Sequence, residues 1–124
     1  MRLLGCFLLL VLTGHAWGQV VTAKDVRYLE ARCQRGDGLF CGALGVLYDY
    51  GDVVKQDKFK AVELYTKACE LRNGGGCINL GFMYATGEGV KLDKRRALES
   101  FGKACDLKKE QGCKYYAKLK KQGQ

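Results

Sequence analysis

Residues 69–104 read CELRNGGGCINLGFMYATGEGVKLDKRRALESFGKA, and residues 33–68 carry the same pattern 36 positions earlier. Laid one over the other, Leu44 falls on Leu80, Gly45 on Gly81, Tyr48 on Tyr84 and Gly51 on Gly87. Further along, Val54 meets Val90, Asp57 meets Asp93, Ala61 meets Ala97, and Lys67-Ala68 meets Lys103-Ala104. Six cysteines keep the same time: Cys33, Cys41, Cys69, Cys77, Cys105 and Cys113 form pairs 8 apart that recur every 36. A period between about 34 and 47 residues marks stacked helix pairs, units that bury their apolar faces only against a neighbour.

Each unit reads as two helices. In the first, Leu44, Leu47 and Tyr48, or Leu80, Met83 and Tyr84, recur at i, i+3 and i+4, one apolar stripe. Gly51 and Gly87 stand where a C′ glycine ends such a helix, and Asp57 and Asp93 are natural N-caps for the second. The second helix carries Ala61, Leu64, Tyr65 and Ala68, or Ala97, Phe101 and Ala104. Gly36-Asp37-Gly38, Asn73-Gly74-Gly75-Gly76 and Gln111-Gly112 read as glycine turns into the next unit. Gly45 and Gly81 lie inside a helix, where glycine costs about 1 kcal/mol relative to alanine. Their recurrence points to close approach by a neighbouring helix, with alanines as the expected partners.

The cysteine spacing has a geometric consequence. Eight residues along one straight helix span roughly 12 Å, whereas a disulfide needs Cα atoms within about 7 Å. A turn must therefore separate the partners. The pairing that repeats with the unit is Cys33–Cys41, Cys69–Cys77 and Cys105–Cys113, each stapling the end of one helix to the start of the next. The expected fold is all-α: a solenoid of αα-hairpins, each closed by a disulfide, in units of about 33–68, 69–104 and 105–124. The ends depart from the middle, as solenoid caps do. A lone helix over about 23–35 leads, with Thr22-Ala23-Lys24-Asp25 as its capping box. After Cys113, Ala117 takes the glycine position and Lys120 the tyrosine position.

The first eighteen residues belong to none of this. Arg2, the apolar run Leu3 to Leu12 and the small residues of Ala16-Trp17-Gly18 have the form of a cleaved signal peptide, leaving residues 19–124 as the repeat domain. Leu3-Leu4-Gly5-Cys6 has the look of a lipoprotein box, but its cysteine precedes most of the apolar run instead of following it. Cleavage removes Cys6, His15 and Trp17, and with Arg2 gone the net charge of +8 becomes +7. An even cysteine count in a small exported chain points to disulfides and to a secreted or periplasmic protein without stable membrane insertion.

The pattern Leu80-Gly81-x-x-Tyr84-x-x-Gly87-x-Gly89-Val90-x-x-Asp93-x-x-x-Ala97 resembles a Sel1-like repeat, a relative of the tetratricopeptide repeat. Lys103-Ala104-Cys105, and Cys69 followed eight residues on by Cys77, are similar to the disulfide-bearing version in the Helicobacter cysteine-rich protein family. The first copy departs where Val53 replaces the second loop glycine. The resemblance implies export, binding of β-lactam or peptidoglycan-like ligands, and slow β-lactam hydrolysis. Other proteins with such repeats act as adaptors, which implies extended or acidic protein partners instead.

The residues themselves advertise little catalysis. Ser100 is the sole serine, and Ser100-Phe101-Gly102-Lys103 fits the Ser-x-x-Lys spacing that brings a nucleophile and a lysine base to one helical face. Neither Ser-Asp-Asn nor Lys-Thr-Gly accompanies it, and Ser100 aligns with Leu64, a packing position. Catalytic zinc wants histidines, and paired cysteines cannot ligate or attack, so no cofactor is expected. Carboxylate pairs such as Asp49 with Asp52 and Asp106 with Glu110 read as solvated or capping groups. Lys108, Lys109, Lys114, Lys118, Lys120 and Lys121 crowd the C-terminal end, a solvated cap that would also attract acidic partners. Nothing resembles a nucleic-acid recognition module.

Overall fold

The computed structural model describes residues 21–123, so the segment read as a signal peptide, with Cys6, lies outside the described residues. Within them are six helices and no strand: α1 Ala23–Gln34, α2 Gly38–Tyr50, α3 Lys58–Glu70, α4 Gly74–Thr86, α5 Lys94–Asp106 and α6 Glu110–Gln122. Starts and stops fall 36 residues apart from unit to unit, as the repeat demands. Each helix packs on its neighbours in sequence; α2, α4 and α6 also touch in series, as do α3 and α5. Two layers of helices result, stacked as a solenoid.

The caps explain the boundaries. Asp57 and Asp93 accept hydrogen bonds from the backbone N–H groups of Lys60 and Arg96, both at 3.0 Å. Thr22 and Asp25 form the expected reciprocal box. Gly51 and Gly87 adopt left-handed φ of 71° and 72° and end α2 and α4.

The turns between units are a different matter. Gly74, Gly75 and Gly76 are not the turn but the first residues of α4, and Gly112 sits within α6. The left-handed residues are Gly36, Arg72 and Lys108, at φ of 89°, 66° and 69°. The glycines serve packing instead. A Cβ at Gly76 would lie 2.5 Å from the Ala68 methyl, and one at Gly112 would lie 2.6 Å from that of Ala104. These contacts bring the helix ends together, and the Cα atoms of each cysteine pair stand 4.5–4.6 Å apart.

All three bridges join the expected partners: Cys33–Cys41, Cys69–Cys77 and Cys105–Cys113. The first two are buried among core side chains, while Cys105 and Cys113 are half-buried. Gly45 and Gly81 do meet a neighbouring helix closely, but their partners are aromatic rings. A Cβ would lie 2.7 Å from Tyr65 Cε1 in the first case and 2.5 Å from Phe101 Cε1 in the second. An aromatic ring pressed against a glycine recurs in both units, and at the third equivalent position Ala117 is exposed.

Candidate functional site

Two openings stand out, and each lies where the 36-residue period breaks. In the first unit Leu64 on α3 packs against Leu44 and Leu47 on one side and Cys33, Cys41 and Ala68 on the other. Its counterpart on α5 is Ser100. A cleft of about 370 Å³ lies there between α3, α4 and α5, lined by Ser100 with Thr66, Cys69, Leu80 and Tyr84. Arg95, Arg96, Lys103, Glu70 and Glu99 complete its lining.

The cleft brings Ser100 and Lys103 to one side of α5, as their spacing requires. Ser100 is buried, at 7% exposure, and its hydroxyl donates to the Arg96 carbonyl at 2.9 Å. That bond holds the proton on a backbone acceptor instead of a base. A serine nucleophile needs a base within hydrogen-bond reach, and among the described residues none bonds to Ser100 Oγ. Arg96 is itself engaged, donating to the Tyr84 hydroxyl at 3.2 Å. Among the described residues, Arg95 and Lys103 form no ion pair. They are the cations open to an anionic ligand.

The second opening lies on the face shared by α2, α4 and α6. Tyr50 and Val46 on α2 and Phe82 on α4 are exposed there, with Leu39 a turn and more earlier. Phe82 stands edge-on to Phe101 at 5.2 Å and to Tyr115 of α6 at 4.7 Å. Beside these rings is an apolar seat of about 240 Å³, lined by Phe82, Ala85, Phe101, Tyr115, Lys118 and Leu119, with Gln122 at its edge. The same region of the first unit is polar. There Asp49 accepts from Lys58 Nζ at 2.6 Å and from the Tyr65 hydroxyl at 3.0 Å, and Lys58 also reaches Glu88 at 3.5 Å. Sequence reasoning took Asp49 for a solvated group. A signal was present: Asp49 and Tyr65 give way together to Ala85 and Phe101, a coupled exchange of a polar pair for an apolar one.

Burial first, and then the hydrogen bond to Asp49, push the Tyr65 hydroxyl well above its ordinary value of 10.0. The unfolded tyrosine therefore loses its proton as pH rises past 10 while the folded one keeps it. The bond's stability is fully present below that pH and declines above it. Tyr65→Phe is expected to cost about 1.5 kcal/mol at pH 7. The cost should shrink in urea titrations run above pH 10, and a gap constant with pH would refute the assignment.

Among the described residues no three His, Cys, Asp or Glu side chains converge as a metal site. No helix among them is long and apolar enough to cross a membrane.

The sequence pattern of the Sel1 repeat family matches residues 41–73 and 75–109. Each match covers a helix pair, α2–α3 and α4–α5, so the Cys69–Cys77 bridge ties one matched repeat to the next. Among solved structures, Helicobacter pylori cysteine rich protein B is 38% identical over 74% of this chain and 69% of its own length, with a TM-score of 0.73. A protective antigen of uropathogenic Escherichia coli displaying an SLR fold is 28% identical, with a TM-score of 0.76 over 82% of this chain and 22% of that one. A Sel1 repeat protein from Oxalobacter formigenes shares the fold at 19% identity, with a TM-score of 0.76 over 80% of this chain and 41% of its own. No curated protein sequence matches the chain.

Proposed function

The chain belongs to the Sel1 repeat family, in the cysteine-rich branch that includes the Helicobacter pylori protein, and from that premise we propose that it is an exported, disulfide-locked binding module for extended protein segments. One observation carries this reading: α2, α4 and α6 touch in series, and Leu39, Val46 and Tyr50, at i, i+7 and i+11 of α2, are exposed, as is Phe82 at the position of Val46 on α4. Exposed apolar side chains gathered on one face mark an interaction surface, and helices held by three bridges lose little entropy when a partner docks. Export accounts for the bridges, since disulfides persist in oxidising compartments. An unbiased displayed-peptide library panned on the oxidised protein tests it. Selected peptides are expected to protect α2, α4 and α6 from amide exchange; protection confined to α1, α3 and α5, or no selection at all, would sink the reading.

The cleft beside Ser100 supports a second reading, binding of β-lactam or peptidoglycan-like molecules with slow turnover at most. Its volume of about 370 Å³ lies within the range of small-molecule sites, about 300–1,000 Å³. Arg95 and Lys103 offer cations to a ligand carboxylate. The Ser100 hydroxyl, tied to the Arg96 carbonyl, argues for retention over attack. On this reading Ser100→Leu fills the cleft as Leu64 does and abolishes binding of a fluorescent penicillin, while Ser100→Ala leaves binding intact. A covalent adduct by mass spectrometry, lost in Ser100→Ala, would instead establish Ser100 as a nucleophile.

A further inference from the structure

The seat between α4 and α6 is too small for a typical ligand site and too apolar for a polar one. At about 240 Å³ it falls below the range of about 300–1,000 Å³ for small-molecule pockets, and its scale is that of a single large side chain. Phe82, Phe101 and Tyr115 supply three ring walls, with Phe101 and Tyr115 centroids 5.4 Å apart. Its one charged lining residue is Lys118. Lys114, Lys118 and Lys121 follow one another at i, i+4 and i+7, so they form one stripe along α6. All three are exposed, and among the described residues none is in an ion pair. Lys120 is turned elsewhere, over the Tyr116 ring at 5.5 Å. The one acid of α6, Glu110, lies one turn before Lys114 and forms no ion pair with it.

We propose that this seat takes one aromatic or branched aliphatic side chain of an extended acidic segment, whose carboxylates pair with Lys114, Lys118 and Lys121. The proposal rests on the binding-module reading and names the partner's chemistry. An apolar anchor in a desolvated pocket supplies most of the affinity of such contacts, and the lysine stripe beside it sets the charge of what is accepted. A second copy of this chain is a poor occupant, because a net charge of +8, or +7 without the first eighteen residues, repels its like. The corresponding place in the first unit is polar. Asp49 and Tyr65 stand there in place of Ala85 and Phe101, and Lys58 neutralises the aspartate.

That difference supplies the control. Ala85→Asp combined with Phe101→Tyr rebuilds the first unit's arrangement, with Lys94 at the position of Lys58, without opening a hole in the core. The probe is a labelled synthetic peptide of alternating Asp and Glu around one central Phe. Companion peptides replace the Phe by Ala or every acid by Lys. By fluorescence anisotropy the Phe peptide is expected to bind, the Ala peptide at least about tenfold more weakly and the Lys peptide not at all. Affinity should fall as salt is raised from about 50 to 500 mM. The paired variant, and Lys118→Glu, should each lose at least about tenfold while keeping wild-type helicity and melting. Equal binding of the Phe and Ala peptides, undiminished binding by the folded paired variant, or no binding by wild type overturns the proposal. So does concentration-dependent dimerisation abolished by the paired variant, which would give the seat to a second copy. Library peptides that protect α2 and α4 but lack an acidic, apolar pattern would overturn this inference and leave the module reading standing. Peptides that never reach the face would remove both.

Discussion

Reduction of all three bridges is expected to abolish the cooperative melting of this protein, and loss of the central one alone to lower the midpoint by about 10–20 °C. In the chain-entropy model a loop this short contributes about 2.5 kcal/mol per bridge. A domain of this size converts each kcal/mol into about 4–8 °C. Together the three approach the whole stability of a small domain, about 5–15 kcal/mol. The effect is enlarged because each bridge lies at a junction between helices. Cys69 and Cys77 belong to the same buried cluster as Tyr65, Leu80 and Phe101, so unlinking them loosens the contact between the units. Paired Cys69→Ser and Cys77→Ser substitutions, followed by circular dichroism with heating, measure this. A midpoint within about 3 °C of wild type would mean that packing alone holds the junction. Stepwise thiol titration with alkylation and mass spectrometry should find Cys105–Cys113 opening first, because it is half-buried while the other two are sealed in the core.

Gly81→Leu is expected to cost about 3 kcal/mol or more, whereas Ala117→Leu, at the equivalent position one unit on, should stay within about 0.5 kcal/mol of wild type. The two sites share a register and differ in what lies over them. Phe101 rests on Gly81, is 2% exposed and is hemmed in by Phe82 and Tyr115, so the ring has nowhere to go. Removing glycine from a helix interior regains about 1 kcal/mol of propensity, which does not offset the displaced ring. Ala117 is exposed. Urea denaturation of both variants decides the matter. Similar losses at the two positions would show that helix geometry, and not the aromatic seat, requires the glycine.

The same contrast separates what the chain's letters reveal from what they conceal. The ends of α2 and α4, the starts of α3 and α5 at their aspartate caps, and the cysteine pairing were legible because each depends on a few neighbouring residues and recurs with the period. Gly36 does turn, at φ of 89°, but Gly74, Gly75, Gly76 and Gly112 were misread as turns. Local preference favours glycine in a bend, but Gly76 and Gly112 are needed where the methyls of Ala68 and Ala104 press on the next helix. The true left-handed positions fall on Arg72 and Lys108, which carry no turn signature. Ser100 and Lys103 share a side of α5 as their spacing required, yet only tertiary packing shows the cleft that Thr66, Cys69, Leu80 and Tyr84 complete around them. The Asp49–Lys58–Tyr65 network and the aromatic seat likewise join residues many positions apart. Periodicity reports where units are alike. Binding surfaces arise where they differ, and what fills or leaves that space is settled by side chains from other helices meeting in three dimensions.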